Sequence, residues 1–296
     1  DKTTICAGQS VTFSDSSTNS PTSLLWTFTG GTPSTSTSST PTITYNTTGT
    51  FNVKLKATNA NGSDSLTKSA FIQVNSAPNV TLSSFAILCT NSGMDSLRGG
   101  SPTGGTYYIN NTPASIINPS MLGAGTFTIK YKVTQGSCAD SATQTLTINA
   151  APSVSATTPA ATCDNSPAIT LSNGTPSGGI YSGTGVSAGN FDPSVSGAGT
   201  FSIGYKVTST NGCSDSTNFN MVVNAKPSVA LASAGPFCTG GTPITLNNGT
   251  PTGGTYSGTG VTGGQFDPSA AGIGNHTIKY VFTNSDNCID SANTSV

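Results

Sequence analysis

Residues 174–208 read GTPSGGIYSGTGVSAGNFDPSVSGAGTFSIGYKVT, and residues 249–283 repeat them as GTPTGGTYSGTGVTGGQFDPSAAGIGNHTIKYVFT. A looser copy, GSPTGGTYYINNTPASIINPSMLGAGTFTIKYKVT, occupies residues 100–134. Self-similarity at a fixed step indicates a repeat protein in which each copy is one structural unit. The copies therefore predict modules of about 75 residues arranged in a row.

The end of each copy alternates between apolar and polar residues. Phe201, Ile203, Tyr205 and Val207 are separated by Ser, Gly and Lys, and residues 127–133 and 51–57 repeat the pattern. A period of two residues is typical of a half-buried strand. Gly-Gly and Asn-Gly turn signals separate such runs, and no stretch sustains a helical period. The fold class predicted is all-β, a tandem array of four small antiparallel sandwiches.

Pro-containing linkers set the predicted boundaries. Ala77-Pro78, Ala151-Pro152 and Lys226-Pro227 each follow a strand that ends in Asn. We define module one as residues 1–75, module two as 76–149, module three as 150–224 and module four as 225–296. Val296 aligns with Leu146, three residues before the end of module two at Asn149. We therefore expect module four to be truncated at its last strand and the parent protein to continue.

Gly258, Gly260 and Gly263 have the spacing G-x-G-x-x-G of a dinucleotide-binding loop. That loop needs a helix directly after it, because the helix N-terminus holds the phosphates. Here Asp-Pro and another strand follow, and we expect no helix. The matching glycine in module three has moved to Gly189, and module two has none. We interpret these glycines as turn residues.

Composition excludes other classes of protein. Only 7% of the residues are charged and the formal net charge is -1, so no basic surface is present to attract nucleic acid. No apolar run is long enough to span a membrane, and we expect no membrane insertion.

The seven cysteines indicate an oxidising compartment. Three open modules two to four and three close them, about 50 residues later, which predicts one disulfide inside each module: Cys89–Cys138, Cys163–Cys213 and Cys238–Cys288. Cys6 is left over. We interpret it as a buried free thiol, with a partner outside the chain as the alternative.

Candidate catalytic and metal-binding residues are few. His276, the single histidine, aligns with Phe127 and Phe201 and is expected to pack rather than to serve a catalytic triad. Asp192 and Asp267 precede Pro and are expected to initiate turns, with weak structural calcium binding as the alternative. Trp26 and the repeated tyrosines Tyr107, Tyr181 and Tyr256 are expected to pack. We predict no enzyme activity and no cofactor.

Module one, with GQSVTFSDSSTNSPTSLLWTFTGGTPSTS and YNTTGTFNVKLKATNANGSDS, resembles a PKD domain, an immunoglobulin-like (Ig-like) sandwich. It has Thr29-Gly30-Gly31 where the family usually has an acidic Gly-Asp-Gly. Modules two to four, through GGTYSGTGV and FDPSAAGIGNHTIKYVFT, resemble Ig-like repeats of giant secreted surface proteins of Bacteroidota-type bacteria.

This resemblance implies a non-catalytic stalk of an extracellular cell-surface adhesin or filament. Its partners would be neighbouring repeats, with surface polysaccharide or self-assembly into filaments as further options. The alternative is a set of carbohydrate-binding accessory modules of a secreted polysaccharide-degrading enzyme.

Such bacteria O-glycosylate Asp-Ser/Thr motifs followed by an aliphatic residue or Thr. Carried over by position, the resemblance implies O-glycosylation at these serines: Ser65, Ser141, Ser216, Ser291 and, as a weaker match, Ser96.

Overall fold

The computed structural model describes residues 3–296. The chain forms two compact units, of which one ends at Ala150 and the other spans Ala151–Val296. Strands dominate both units, and the described residues contain three helices of a single turn each. Each unit holds two separate clusters of buried apolar side chains. The prediction of an all-β array of small sandwiches is therefore confirmed.

The first sandwich contains a five-stranded sheet of order β1-β8-β7-β3-β5 and a three-stranded sheet of order β2-β6-β4. Its core includes Trp26, Phe28, Ile43 and Tyr45, so the core position predicted for Trp26 is confirmed. The strands are β1 Thr4–Cys6, β2 Gln9–Thr12, β3 Ser23–Phe28, β4 Gly31–Thr32, β5 Thr35–Ser36, β6 Thr42–Tyr45, β7 Gly49–Asn59 and β8 Gly62–Asn75.

The second sandwich has a main sheet of order β10-β17-β16-β13-β14 and two small ladders, β12-β9 and β11-β15. Its elements are β9 Thr81–Leu82, β10 Leu88–Cys89, β11 Asp95–Ser96, β12 Gly100–Ser101, β13 Thr106–Ile109, β14 Thr112–Pro113, β15 Ile116–Ile117, α1 Pro119–Leu122, β16 Gly125–Gln135 and β17 Cys138–Asn149.

The third sandwich has a main sheet of order β19-β26-β25-β22, a three-stranded sheet of order β20-β24-β23 and the ladder β18-β21. Its elements are β18 Ser155–Ala156, β19 Thr162–Cys163, β20 Ile169–Thr170, β21 Gly174–Thr175, β22 Ile180–Ser182, β23 Val186–Ser187, β24 Asn190–Phe191, α2 Pro193–Ser196, β25 Gly199–Thr208 and β26 Ser214–Asn224.

The fourth sandwich has two three-stranded sheets, of orders β30-β33-β34 and β28-β32-β31, and the ladder β27-β29. Its elements are β27 Ala230–Leu231, β28 Ile244–Thr245, β29 Gly249–Thr250, β30 Thr255–Gly258, β31 Val261–Thr262, β32 Gln265–Phe266, α3 Pro268–Ala271, β33 Thr277–Thr283 and β34 Ile289–Ser295.

The alternating runs of the sequence form the long hairpins of these sheets. In β25, Ile203, Tyr205 and Val207 are buried while Ser202 and Lys206 are exposed. Because the alternation has a period of two residues, every second side chain of the strand lies in the core. In β7 the same pattern is interrupted by an irregularity in register between Phe51 and Val53.

One feature departs from a purely antiparallel sandwich. The first strand of the main sheet pairs in parallel with the last strand in three of the four sandwiches. Cys6 lies opposite Asn75, Cys89 opposite Asn149, and Cys163 opposite Asn224. The opening cysteine therefore lies beside the last residue of its own module.

The disulfide pairing predicted from the cysteine spacing is wrong. Cys6 is bonded to Cys138, with 5.5 Å between their Cα atoms, and Cys163 is bonded to Cys288, with 5.7 Å. Each bond joins the opening cysteine of one module to the closing cysteine of the next. Cys6 is therefore not the free thiol we expected, and Cys238 is instead free and exposed. Cys89 and Cys213 also take part in disulfides.

Strand geometry explains why a bond within one module cannot form. Cys89 lies opposite Asn149 at the end of β17, whereas Cys138 begins the same strand. The two positions are 11 residues apart along β17, which is about 36 Å at the usual rise of a strand. A disulfide needs Cα atoms only about 4.4–6.8 Å apart. The opening and closing cysteines of one module therefore lie at opposite ends of its sheet.

Candidate functional site

A groove of about 830 Å³ lies in the first sandwich, between strands β3, β7 and β8 and the loop that follows Phe13. The half-buried Phe71 lines it, and the core residues Phe13 and Trp26, each 6% exposed, lie at its base. The ring of Phe13 lies 6.0 Å from that of Trp26 and 6.5 Å from that of Phe71, centroid to centroid. The Nζ atom of Lys68 lies 4.6 Å above the ring of Phe71.

The rim of this groove is rich in hydroxyl and amide groups and poor in charge. Asp64 and Lys68 are the charged residues among those that line it. The polar lining residues are Ser14, Ser16, Ser17, Thr18, Asn19, Thr58, Asn59, Asn61, Ser63 and Ser65. One half-buried aromatic ring, that of Phe71, and neutral hydrogen-bonding groups suit an uncharged, hydroxyl-bearing ligand better than a phosphate or a nucleic acid.

The tyrosines predicted to pack form a repeated device in modules two to four. In module three the hydroxyl of Tyr205 accepts a hydrogen bond from the N–H of Gly179 at 2.9 Å and donates to the carbonyl of Pro176. The ring of Tyr181 lies 4.5 Å from that of Tyr205, and its hydroxyl accepts from Gly174 N–H at 2.7 Å.

Modules two and four repeat these contacts. Tyr131 and Tyr280 take the place of Tyr205, and Tyr107 and Tyr256 take the place of Tyr181. The rings and hydroxyls therefore hold the module's own Pro-Ser/Thr-Gly-Gly loop, and the prediction that these tyrosines pack is confirmed.

The structure also decides the role of the G-x-G-x-x-G segment. The expectation that no helix follows is wrong, because the single turn α3 begins at Pro268. The carboxylate of Asp267 already accepts hydrogen bonds from Ser269 and Ala270 N–H at that turn's N-terminus. A phosphate would find these donors occupied and meet a negative charge.

The glycines themselves are explained by crowding and backbone conformation. A Cβ atom on Gly260, where φ is +79°, would lie 2.6 Å from the Cβ of Ala271, and one on Gly258, where φ is +146°, would clash with the carbonyl of Thr277. Side chains are excluded at both positions. The interpretation of these glycines as turn residues is confirmed.

The Asp residues before Pro were expected to initiate turns, and the turns that they and Asn118 begin are the three single-turn helices. Asn118, Asp192 and Asp267 are the N-cap residues of α1, α2 and α3. Hydrogen bonds from the hydroxyl and then the N–H of Ser194 lower the pKa of Asp192. Within residues 3–296, no group of three or more His, Cys, Asp or Glu side chains is arranged to hold a metal ion.

His276 lies at the edge of the last sandwich and is partly exposed. Its backbone N–H and carbonyl pair with Val296, and its Nε2 atom lies 3.1 Å from the carbonyl oxygen of Gly272. The position matches that of Phe201 in module three, as the alignment predicted.

The five serines of the Asp-Ser motifs share one local geometry. In each motif the Asp carboxylate accepts a hydrogen bond of 2.7–2.8 Å from the N–H of the following serine. Each serine is exposed. The members are Ser65 on β8, Ser96 on β11, Ser141 on β17, Ser216 on β26 and Ser291 on β34.

Residues 1–72 match the PKD domain family. The resemblance of module one to that family is therefore confirmed for the part of the chain that forms the first sandwich. No curated protein matches the chain, and none of the described helices is long and apolar enough to cross a membrane.

Solved structures give only distant likenesses. The I-band fragment I67–I69 of titin is 16% identical, with 76% of this chain and 95% of that chain covered and a TM-score of 0.36. An adhesin titled as Ca²⁺-stabilized, which helps an Antarctic bacterium reach out and bind ice, is 12% identical, with 98% and 93% covered and a TM-score of 0.31. A fragment of a 1.5-MDa bacterial ice-binding adhesin is 14% identical, with 76% and 95% covered and a TM-score of 0.26.

Proposed function

We propose that this chain is a non-catalytic stalk segment of an extracellular cell-surface adhesin or filament, built from one PKD-like module (1–75) and three Ig-like modules (76–149, 150–224 and 225–296). The observation that carries the proposal is the pair of disulfides Cys6–Cys138 and Cys163–Cys288, each of which ties a module to its successor. Six disulfide-bonded cysteines also suit an oxidising, extracellular location.

The strand pairing supports a load-bearing role. Because β1 is parallel to β8, tension on the two ends of module one pulls these strands past each other along their length once the disulfides are reduced. The hydrogen bonds of the pair then share the load instead of breaking one at a time. The parallel pairs β10–β17 and β19–β26 give modules two and three the same property.

The junction between modules three and four carries further contacts. Lys226 Nζ lies 2.8 Å from Asp290 Oδ2, and the backbone N–H of Lys226 donates to Asp164 Oδ1 at 2.9 Å. Asn165 and Asn284 add side-chain hydrogen bonds to the carbonyls of Ile289 and Ala225. These bonds and the disulfide restrict bending at this linker.

Single-molecule stretching of the whole chain tests the stalk proposal. Each intact bond prevents the chain between its two cysteines from extending. The sequence separations are 132 for Cys6–Cys138 and 125 for Cys163–Cys288, or roughly 400 Å of extended chain apiece. We expect reduction to lengthen the unfolded contour by hundreds of ångströms. For the reduced chain, unfolding at a force no higher than that of a fold without paired terminal strands would contradict the load-bearing role.

The groove of module one supports a second candidate, binding of a neutral polysaccharide. Phe71 contributes an aromatic face to the groove, and Leu66 beside it is 64% exposed. Pull-down with insoluble polysaccharides tests it: saturable binding lost in Phe71→Ala and kept in Met121→Ala, a change at an exposed site outside the groove, would support binding modules. If the two variants bind the polysaccharide equally, or if neither they nor the unmodified chain binds it, the binding function is refuted and the stalk proposal is the one that stands.

The exposed Asp-Ser motifs support a glycan coat on this stalk. At Ser65, Ser96, Ser141, Ser216 and Ser291 the backbone N–H is satisfied by Asp and the hydroxyl lies on an exposed residue. Mass spectrometry of the protein from its native cells is expected to find added hexose masses on the corresponding peptides. Unmodified serines at all five positions would contradict this part of the proposal.

A further inference from the structure

Two opening cysteines bond forward to the next module in the same way, and one opening cysteine, Cys238, is free. Cys6 and Cys163 both lie opposite the last residue of their own module, Asn75 or Asn224, and both bond forward to the next module. Their partners Cys138 and Cys288 are fully buried, and the Sγ atom of each lies 3.8 Å from the carbonyl oxygen of that same Asn. Two junctions therefore share one arrangement.

Cys238 occupies the equivalent place in module four. Its carbonyl accepts a hydrogen bond from the N–H three residues later, Gly241, at 3.2 Å, as the carbonyl of Cys163 accepts from Ser166 at 3.0 Å. Its thiol is free and exposed. The closing cysteine of its own module, Cys288, is already bonded to Cys163.

We infer that Cys238 is a covalent attachment site for another module of this kind, and that its partner is that module's closing cysteine. The incoming module would place the start of its last strand against Cys238, as module four places Cys288 against Cys163. This goes beyond the proposed stalk role, because it assigns a specific bond and a specific kind of partner.

The local sequence around Cys238 is compatible with this role. Module three offers Asp164 and Asn165 after its cysteine, whereas module four has Thr239 and Gly240. Module one has Ala7 and Gly8 in these positions and still forms its forward bond. The acidic and amide side chains are therefore not required.

The bond forms by ordinary thiol oxidation. The Sγ atoms of Cys238 and the partner cysteine become joined, and both S–H bonds break. Two electrons and two protons pass to the disulfide of a thiol oxidoreductase, and that disulfide becomes a dithiol. The product matches the two bonds already present in the chain.

Peptide mapping without reduction tests the inference directly. The protein is taken from the cells that make it, free thiols are blocked with N-ethylmaleimide at lysis, and the digest is analysed by mass spectrometry. We expect the Cys238 peptide to be joined to a peptide whose cysteine begins a last strand, like those around Cys138 and Cys288. A maleimide on Cys238, or a Cys238–Cys238 link between two chains, would overturn the inference.

An extended chain provides a second test with a defined partner. Val296 aligns with Met221 of module three, so the full chain is extended with residues 222–224 and then with a second copy of residues 225–296. The second copy's own Cys238 is replaced by Ser. Refolding with oxidised glutathione is expected to join Cys238 to the second copy's Cys288.

The control is the same extended chain with Ser in place of the second copy's Cys288, in which Cys238 should stay free and react with maleimide. Formation of Cys163–Cys288 in both proteins shows that the preceding junction folded, and amide exchange shows whether the second copy folded. A folded second copy with Cys238 still free would refute the inference, and this result would leave the load-bearing role of the existing modules untouched.

Discussion

The hydroxyl of Tyr205 bridges two backbone groups of one loop, since it accepts from Gly179 N–H and donates to Pro176 carbonyl. We predict that Tyr205→Phe destabilises module three by about 1–3 kcal/mol, because a backbone donor under the ring loses its acceptor. Amide exchange of residues 174–182 in the full chain measures this local free energy of opening. Protection equal to that of the unmodified chain would contradict the prediction.

A companion change separates crowding from hydrogen bonding. A Cβ on Gly179 would lie 2.5 Å from Tyr205 Cζ and 2.7 Å from the carbonyl oxygen of Lys206. Overpacking against backbone is expected to make Gly179→Ala destabilising by about 1–3 kcal/mol. Gly93→Ala is the matched control, because nothing lies within 4 Å of its Cβ position, and its effect should stay within about 0.5 kcal/mol. Equal effects at the two glycines would refute the crowding argument.

Much of this arrangement could be predicted from the sequence, because it depends on local patterns. Alternation along residues 201–207 identifies β25, and the repeated tyrosines already indicate packing. The disulfide connectivity depends on something else. The step of about 50 residues from Cys89 to Cys138 suits a bond inside a module, and chain entropy favours it over a span of 132 residues by only about 0.9 kcal/mol.

Strand register decides the connectivity instead, and cysteine spacing does not report it. Cys89 pairs beside Asn149 because β10 runs parallel to β17, which places it at the far end of the sheet from Cys138. One signal in the sequence was available: about eleven residues of alternating strand separate each closing cysteine from the module's final Asn. The groove in module one was also missed, because it is formed by Phe13 and Phe71, which are 58 positions apart.

Tyr45 gives a pH-dependent prediction for module one. Burial raises the pKa of its hydroxyl to about 12, and the hydroxyl has no hydrogen-bond partner among the described residues. Because the folded pKa exceeds the unfolded value of about 10, stability is unaffected below that pH and falls as the pH rises towards 12. The loss should approach about 3 kcal/mol.

The variant Tyr45→Phe isolates this contribution. It should remove that part of the alkaline loss while keeping or slightly raising stability at pH 7, since it deletes a buried, unsatisfied hydroxyl. Urea unfolding followed by the fluorescence of Trp26, the single tryptophan, reports on this module. An alkaline loss that is the same in both proteins would show that other tyrosines cause it.

The bond between Cys163 and Cys288 should hold modules three and four together when module three opens. Its cysteines have a sequence separation of 125, and the chain-entropy model assigns a loop of this length a stabilisation of about 5 kcal/mol. The double variant Cys163→Ser/Cys288→Ser is therefore expected to unfold more readily and to expose the linker at Ala225 and Lys226 to protease. The linker at Lys226 would then be held by the ion pair with Asp290, which raises the pKa of Lys226 and lowers that of Asp290. Exposed pairs of this kind stabilise little.

Cys238→Ser is the matched control, because that thiol is exposed and free in this chain, and it should leave cleavage unchanged. If the double variant resists protease as well as Cys238→Ser does, the linker is held by its hydrogen bonds and the disulfide contributes nothing to the junction.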